Sequence, residues 1–490
     1  MKRKISIINL LLFASLTIIA QPNTYSQKIY SVKELQSDFK IFRYSLENIQ
    51  PSLYRYTSEY EMDHYLDHVY NSINKPMTEL EFYRCLMSVI AKLSNGHSRI
   101  IPSEAYLNYS KENIKKFPFK IEIYDQHAYI VENYSFDSSI VKGSEILSIN
   151  GIPFYTIYSQ ITPLLTRDGY SLAFTHAKLA LDFSFHYSTF YTAKDSFSLE
   201  LLLPNKRSTV TKSVNALFEK DIESIKSNKY DMKNKNKDFN LEITKDSIGI
   251  LTIKNFWDKN FKLFIDKAFN DINMYKAKYL IIDLRDNGGG NDDNGVYLYS
   301  YLCNTSYDYY SLMETQLEPN QGSIPYIKHF TRPETLMELV KVISKNKNGK
   351  NVILNPDTTI GFVIPGRTHK PKQNSFNGDV YILINGLSFS VTSDFCAIAH
   401  KNERAKFIGS ETGGGYYGNT SGYSCHLILP NTQLDVRLNL IEYKNAVEDS
   451  NYPYGRGVLP DFEVHPKALD ICNGIDTEME YTLDLIRINK

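Results

Sequence analysis

Ser390 is the residue of this sequence best placed to act as a nucleophile. It follows a short β-branched run, Val380–Ile384, that is typical of a buried strand, and it precedes a helical pattern over Thr392–His400. The hydroxyl of a residue in such a sharp turn is lifted off the sheet, and the first amides of the helix have no partner within it. Those amides can hold an anion, so the turn offers a nucleophile and part of an oxyanion hole. An ordinary turn or N-cap serine is the alternative.

A second strand-to-helix turn contains three consecutive glycines, Gly288–Gly290. An apolar strand beginning at Tyr279 leads into it, and a helix is predicted from about Asp293. Consecutive glycines let the backbone approach a ligand and point its N–H groups inward. A loose surface loop is the alternative interpretation of the same residues.

Together the two turns resemble one family. D-L-R-x-N-G-G-G at residues 283–290 is followed about a hundred residues later by N-G-x-S-F-S-x-T-S-D-F at residues 385–395. This pair is similar to the tail-specific, or C-terminal processing, serine peptidases, and NYPYGRGVLPD at residues 451–461 resembles their closing G-V-x-P-D signature. The resemblance implies an α/β fold with a crotonase-like (ClpP-like) catalytic core, an accessory PDZ domain and no cofactor.

His97 is the candidate general base. It follows a helical pattern that starts with a capping box at Thr78 and Glu81 and stops at Ser94. A lone histidine after a helix end is usually a surface or capping residue. The tricorn-like branch of the family, however, has its base in a (D/N)-G-H-(T/S) segment after a helix, and residues 95–98, NGHS, match it. Imidazole has a free pKa of about 6.5, so it is available as a base at neutral pH.

The other branch of the family uses a lysine in a G-E-P-T-x-G-K segment. The matching segment here is GSETGGG at residues 409–415, and Gly415 stands where the lysine would be. The serine–lysine version is therefore excluded unless a lysine arrives from elsewhere. The third residue stays open, because Tyr454 and its two neighbours replace the glutamate of the tricorn-like pattern. Its candidates are Glu411, Glu442 and Glu448.

The resemblance predicts an acyl-enzyme mechanism. Ser390 attacks a peptide carbonyl while His97 takes its proton, and the amides of Gly288, Gly289 and Val391 stabilise the oxyanion. The predicted substrates are peptides or unstructured protein tails. Three alternatives remain: a non-catalytic ligand- or peptide-binding protein on the same fold, an esterase or other hydrolase using the same serine, and a crotonase-like acyl-CoA enzyme.

The remaining sequence predicts the domains that position these residues. A helical domain at residues 27–115 carries His97 and begins with a capping box at Ser31 and Glu34. Residues 116–206 are predicted to be β-rich and PDZ-like around GSEILSINGIP at residues 143–153, although a plain hairpin with an Asn-Gly turn fits the same residues.

A linker at residues 207–245 and a parallel peptidase core at 246–490 follow. The core is interrupted by a loop-rich segment at residues 304–376 with a helix over Thr331–Ser344.

The N-terminus predicts a cleavable signal peptide over residues 1–26. Lys2, Arg3 and Lys4 precede an apolar stretch that is too short and too interrupted to span a membrane. No cysteine follows it, so we expect a secreted or periplasmic protein without a stable membrane anchor.

Basic and acidic residues both total 55, which gives no argument for binding nucleic acid. Five cysteines without a C-x-x-C pair fit neither a disulfide framework nor a zinc site.

Overall fold

The computed structural model of the protein describes most of the chain, namely residues 28–191, 194–205, 208–229, 238–317, 326–331, 353–354, 362–448 and 451–488. The predicted signal peptide, residues 1–26, and most of the predicted helix Thr331–Ser344 lie outside these residues. Among the described residues no helix combines the length and apolarity needed to cross a bilayer, and no cluster of acidic, histidine or cysteine side chains could hold a metal ion.

The helices of the described residues are α1 (Val32–Ile49), α2 (Glu59–Ser72), α3 (Glu79–Lys92), α4 (Glu104–Asn113), α5 (Phe154–Ile161), α6 (Ala173–Leu181), α7 (Phe183–Phe190), α8 (Glu219–Lys229), α9 (Phe261–Met274), α10 (Asp292–Tyr299), α11 (Val391–Lys401), α12 (Ala468–Asn473) and α13 (Thr477–Ile488), with short 3₁₀ turns at Thr162–Leu164 and Ile327–His329. The strands are β1 (Ile29–Tyr30), β2 (Met77–Thr78), β3 (Arg99–Ile101), β4 (Phe119–Tyr124), β5 (His127–Asn133), β6 (Glu145–Ile149), β7 (Ile152–Pro153), β8 (Ser196–Leu202), β9 (Thr209–Asn215), β10 (Phe239–Ile243), β11 (Ile248–Ile253), β12 (Tyr279–Asp283), β13 (Tyr307–Asp308), β14 (Tyr310–Thr315), β15 (Phe330–Thr331), β16 (Ile353–Leu354), β17 (Phe362–Pro365), β18 (Thr368–His369), β19 (Asp379–Ile384), β20 (Lys406–Gly409), β21 (Thr420–Ile428), β22 (Asp435–Asn445) and β23 (Phe462–Glu463).

The core sheet has the strand order β10-β11-β12-β19-β20-β23 and is parallel from β11 onward, as the sequence predicts. Alternate residues of β12 and β19 face opposite sides. Ile282 and Ile382 join the main core, whereas Ile281 and Leu383 join a smaller cluster that includes Ile486 of α13. Both faces are therefore covered, which is why these strands are continuously apolar. The loops that follow β12 and β19 meet at one edge of the sheet.

An antiparallel sheet joins the helical domain to the core. Its strand order is β15-β21-β22-β14-β17-β16, and β3 pairs with β22 through Arg99 opposite Arg437. The predicted loop-rich segment at residues 304–376 supplies β14 and β17 to this sheet. That prediction was wrong for β14, because its aromatic and polar residues lack the regular alternation from which a strand is recognised.

The predicted β-rich region forms the sheet β4-β5-β6-β8-β9, with β7 paired to β6. It also contains α5, α6 and α7, which the sequence interpretation missed, and its last strand extends to Asn215.

The predicted linker at residues 207–245 contains β9, α8 and β10. Acidic residues favour the start of α8, and Ile222 packs against Tyr134 and Leu217.

The helical domain begins as the capping signals predict. Ser31 accepts a hydrogen bond from the Glu34 amide, while the Glu34 carboxylate accepts one from the Ser31 amide at 2.8 Å. Thr78 and Glu81 make the same reciprocal pair at the start of α3. α3 ends at Lys92, so the segment Ser94–Ser98 leads directly from this helix into β3.

Candidate active site

The glycine turn and the serine turn are bonded to each other at the carboxyl ends of β12 and β19. The Phe389 amide donates to the Asn287 carbonyl at 3.0 Å. The Ser388 hydroxyl donates to the Leu284 carbonyl at 2.8 Å. The sequence places these residues about a hundred positions apart, and the parallel register of the two strands brings them together.

Ser390 lies in a strained backbone conformation, with φ 58° and ψ −130°, between β19 and α11. A side chain rarely adopts this region, so the surrounding contacts must hold it there. Glycines leave the necessary room: a Cβ on Gly289 would lie 2.7 Å from Ser390 Cβ, and one on Gly414 would lie 3.2 Å from the Ser390 nitrogen. A strained strand-to-helix turn of this kind exposes a nucleophilic serine.

Two of the three predicted oxyanion amides are available as donors. The Gly289 amide already donates to the Asn287 side chain at 2.9 Å, which argues against Gly289 as an oxyanion donor in this arrangement. No hydrogen bond within the described chain engages the amide of Gly288 or Val391. Val391 is the first residue of α11, where amides lack helical partners.

The His97 ring lies against the serine turn. Its centroid is 4.4 Å from that of Phe389, the residue before Ser390, and Phe389 in turn stacks on Phe174 at 4.4 Å. Both His97 ring nitrogens are buried, and among the described residues they have no hydrogen-bond partner, so the ring is not bonded to Ser390. Burial, followed by the positive charge of Arg437, lowers the pKa of His97 to about 3. The imidazole is therefore neutral at neutral pH.

The predicted carboxylates do not bond to His97, since neither of its ring nitrogens has a partner within the part of the chain that the structure describes. Glu411 is occupied by Arg456, at 2.7 and 3.0 Å, and by the Gly457 amide at 2.7 Å. Glu448 is exposed, and Glu442 lies 3.5 Å from the Arg55 guanidinium. In this arrangement Glu411 therefore fixes the closing segment of the core rather than the base.

Asp168 is a buried acid near His97 that the sequence interpretation missed. It lies between the turn at Thr162–Leu164 and α6, is 3% exposed, and accepts a hydrogen bond from the Gly96 amide at 2.6 Å. Burial raises its pKa to about 6, although the Gly96 amide and the Arg55 charge act in the opposite direction. Arg167-Asp168-Gly169 predicts only a turn, so no local signal marks it.

A second buried acid, Asp394, fixes the first turn of α11. It accepts hydrogen bonds from the Tyr310 hydroxyl at 3.2 Å and from the Asn419 amide group at 3.1 Å. Burial, followed by the nearby carboxylate of Asp292, raises the pKa of Asp394 to about 8. These contacts tie the helix after Ser390 to β14 and to the segment that leads into β21.

A cleft of about 1480 Å³ lies between the β4 sheet and the core. Strand β4, an edge strand of its sheet, lines one side together with α6. Asp286 and the segment Asn385–Leu387 line the other side, so the cleft reaches to within three residues of Ser390 along the chain.

Comparison with known proteins identifies the part of the chain that contains both turns. Residues 247–464 match the family model described as Peptidase family S41. This segment is an S41 peptidase domain. The chain is thus a serine-type peptidase, which confirms the resemblance drawn from the two turns. His97 and Asp168 lie outside the S41 segment. A search of the curated proteins found no match.

Solved structures share the fold over nearly the whole chain. Mature CPAF complexed with lactacystin is 14% identical, with 93% of this chain and 97% of that chain covered and a TM-score of 0.63. Mature CPAF alone is also 14% identical, with coverage of 90% and 94% and a TM-score of 0.62. At this identity the likeness shows the fold, and it extends the similarity beyond the S41 domain to the helical domain.

Proposed function

We propose that this protein is a secreted or periplasmic serine endopeptidase in which Ser390 is the nucleophile and His97 the base. One observation supports the proposal most strongly. Ser390 lies in a strained turn beside the glycine bend, and the neutral imidazole of His97 packs on Phe389, the residue before it. Nucleophile, amide donors and base thus come from three distant segments. The predicted signal peptide supports the location.

The proposed reaction passes through an acyl-enzyme. Ser390 Oγ attacks the peptide carbonyl carbon, and its proton passes to His97. The Gly288 and Val391 amides donate to the oxyanion; losing one such donor typically costs about 2.7–4 kcal/mol in the barrier. The C–N bond then breaks as His97 returns the proton to the leaving amine. Water next attacks the acyl group with the same base, releasing the acid and restoring Ser390.

The proposed catalytic contact forms when substrate binds. The His97 ring makes no hydrogen bond to any described residue, and hydrogen-bond reach to the serine is about 2.6–3.2 Å. Catalytic hydrogen bonds often tighten only in the substrate complex.

Peptides or unstructured protein tails are the proposed substrates. Strand β4 is an edge strand that faces the large cleft, and an extended peptide can pair with such an edge. The opposite side of the cleft is lined by Asn385–Leu387, so a peptide held on β4 would lie beside the turn that contains Ser390. This support applies equally whether or not the β4 sheet is a true PDZ domain.

Two alanine variants test the proposal. Ser390→Ala and His97→Ala should each abolish cleavage of an unstructured peptide while the melting temperature stays close to that of the wild type. Ser159→Ala and His68→Ala, at exposed helical positions, are matched controls that should remain active. Retained cleavage by either site variant would remove that residue from the mechanism. A fluorophosphonate probe should label Ser390, and absence of labelling would favour the non-catalytic binding protein.

A further inference from the structure

Ring contacts, rather than hydrogen bonds, hold the His97 side chain. Across the described parts of the chain neither ring nitrogen has a hydrogen-bond partner, so no carboxylate orients the imidazole. The His97 amide donates to the Asn95 side chain at 3.0 Å, and the Gly96 amide donates to the Asp168 carboxylate at 2.6 Å. These bonds fix the backbone and leave the plane of the ring to be set by its packing.

Phe389 and Phe174 form an aromatic cluster with His97. The His97 and Phe389 centroids lie 4.4 Å apart with an interplanar angle of 34°, and the Phe389 and Phe174 centroids lie 4.4 Å apart at 15°. Both phenyl rings are buried. The aromatic cluster joins three parts of the chain, namely the segment after α3, the serine turn and α6, so the base meets the serine turn through these rings.

Two glycines leave room for the aromatic cluster. A Cβ on Gly96 would lie 2.8 Å from the Phe389 ring, and one on Gly413 would lie 2.9 Å from the Phe174 ring. The Phe389 amide donates to the Asn287 carbonyl at 3.0 Å, which ties the central residue of the cluster to the glycine turn. The backbone around the cluster therefore suits these rings and would not accommodate larger neighbours.

The Phe389 ring also bears on the charge that the base acquires. When His97 takes the serine proton it becomes a cation, and a cation within about 6 Å of a phenyl centroid, over the ring face, is attracted by the ring quadrupole. The 4.4 Å separation and the modest tilt meet this condition. The positive charge of Arg437 acts in the opposite direction, because it disfavours the imidazolium.

We propose that Phe389 is the residue that positions His97, a role that rests on the proposed function of His97 as base. The Phe389 ring, supported by its contact with Phe174, fixes the plane of the imidazole and faces the imidazolium that forms during acylation. An aspartate has this orienting role in a Ser-His-Asp triad. Because Phe389 and Ser390 are adjacent in the chain, one turn positions both the nucleophile and the base.

Two leucine variants test this role. Phe389→Leu removes the ring and keeps an apolar side chain, and we expect kcat for an unstructured peptide to fall on the order of 100-fold, because a base displaced by about 1 Å loses about that factor. KM should change little, since Phe389 does not line the cleft. Phe174→Leu, which leaves the serine turn intact and removes only the support of Phe389, should lower kcat by about 3- to 10-fold.

Phe269→Leu is the matched control. Phe269, in α9, is buried and stacks on Tyr301 at 4.4 Å and 15°, the same geometry as the contact between Phe174 and Phe389. This variant should lower the melting temperature about as much as Phe174→Leu does and leave kcat unchanged. Equal losses of kcat in Phe269→Leu and Phe389→Leu that follow their melting temperatures would overturn the proposal.

A double-mutant cycle shows whether Phe389 acts through the base. In the His97→Ala background, Phe389→Leu should cause no further fall in the slow rate at which a fluorophosphonate labels Ser390, since the ring has no imidazole left to position. A further fall as large as that in the wild-type background would mean that Phe389 acts on the serine alone, and the proposed role would be wrong.

The outcomes separate this role from the proposed function. If Ser390→Ala or His97→Ala retains cleavage, the proposed function fails. If both are inactive while Phe389→Leu cleaves at the wild-type kcat, only the positioning role fails. If Phe389→Leu does not fold, the same cycle is run with Phe174→Leu, whose substitution lies outside the serine turn, and additive effects of Phe174→Leu and His97→Ala would refute the role.

Discussion

Gly289→Ala tests whether the glycine bend sets the position of Ser390. Gly289 has φ +94°, where an L side chain is strained by about 1–3 kcal/mol. The new Cβ would lie 2.7 Å from Ser390 Cβ, about 0.7 Å inside the 3.4 Å at which ordinary contact begins, and 2.8 Å from the Phe389 carbonyl oxygen. These neighbours are backbone or backbone-proximal atoms, so the serine turn itself must move.

The expected effect follows from that displacement. Misplacing a reacting group by about 1 Å can lower the rate about 100-fold, so a shift of about 0.7 Å should lower kcat on the order of 10- to 100-fold. The assay is steady-state cleavage of an unstructured peptide, with the rate of fluorophosphonate labelling as a second measure. Chemical denaturation should show a loss of about 1–3 kcal/mol in the free energy of unfolding.

Gly288→Ala is the internal control for this prediction. A Cβ on Gly288 would meet no atom of the described residues within 4 Å, and φ of this residue lies outside the left-handed range. Its amide is kept in the variant, so cleavage should stay within a few-fold of wild type. If Gly289→Ala folds and cleaves as fast as Gly288→Ala, the reasoning that the bend fixes Ser390 is wrong.

Three further predictions concern the stability of the surrounding structure. Asp394 has a raised pKa of about 8, so its stabilising effect is complete below its unfolded pKa of about 4 and is lost as the pH rises toward 8. Melting temperatures of Asp394→Asn should therefore decline less than those of the wild type between these pH values, and parallel curves would contradict this. Arg285→Met should lower the free energy of unfolding by about 3 kcal/mol in urea, because it removes the cation shared by Asp283, Asp476 and Glu478 and leaves Asp283 with Lys254 alone, at 3.7 Å. An unchanged value would show that the network contributes nothing. Ser31→Ala should remove about 1 kcal/mol by the same measurement, and no loss would mean that the capping box is not stabilising.

The sequence predicts those parts of the fold whose signals are local. The capping boxes at Ser31 and Thr78 mark helices that start where expected, and the strands before both turns are continuously apolar because both faces of the core sheet are covered. The family resemblance adds that the turns belong to one site, and the parallel register of β12 and β19 places them side by side.

The missed features depend on distant contacts. α5 and α7 have no side-chain cap and are rich in aromatic and β-branched residues, which suit strands equally well. Asp168 looks like an ordinary turn residue, and its proximity to the base arises from a contact with Gly96, 72 positions earlier. The Gly289 amide suits an oxyanion hole in sequence, but its bond to the Asn287 side chain appears only once the turn is folded.

The pairing of β3 with β22 has a consequence for the timing of assembly. Ser98, next to the base, bonds to Asn439, 341 positions later in the chain. Contacts this remote form late in folding, after most of the polypeptide has become available. A growing chain therefore exposes its imidazole segment long before the strand that receives it has been made, and incomplete chains cannot assemble the proposed hydrolytic centre.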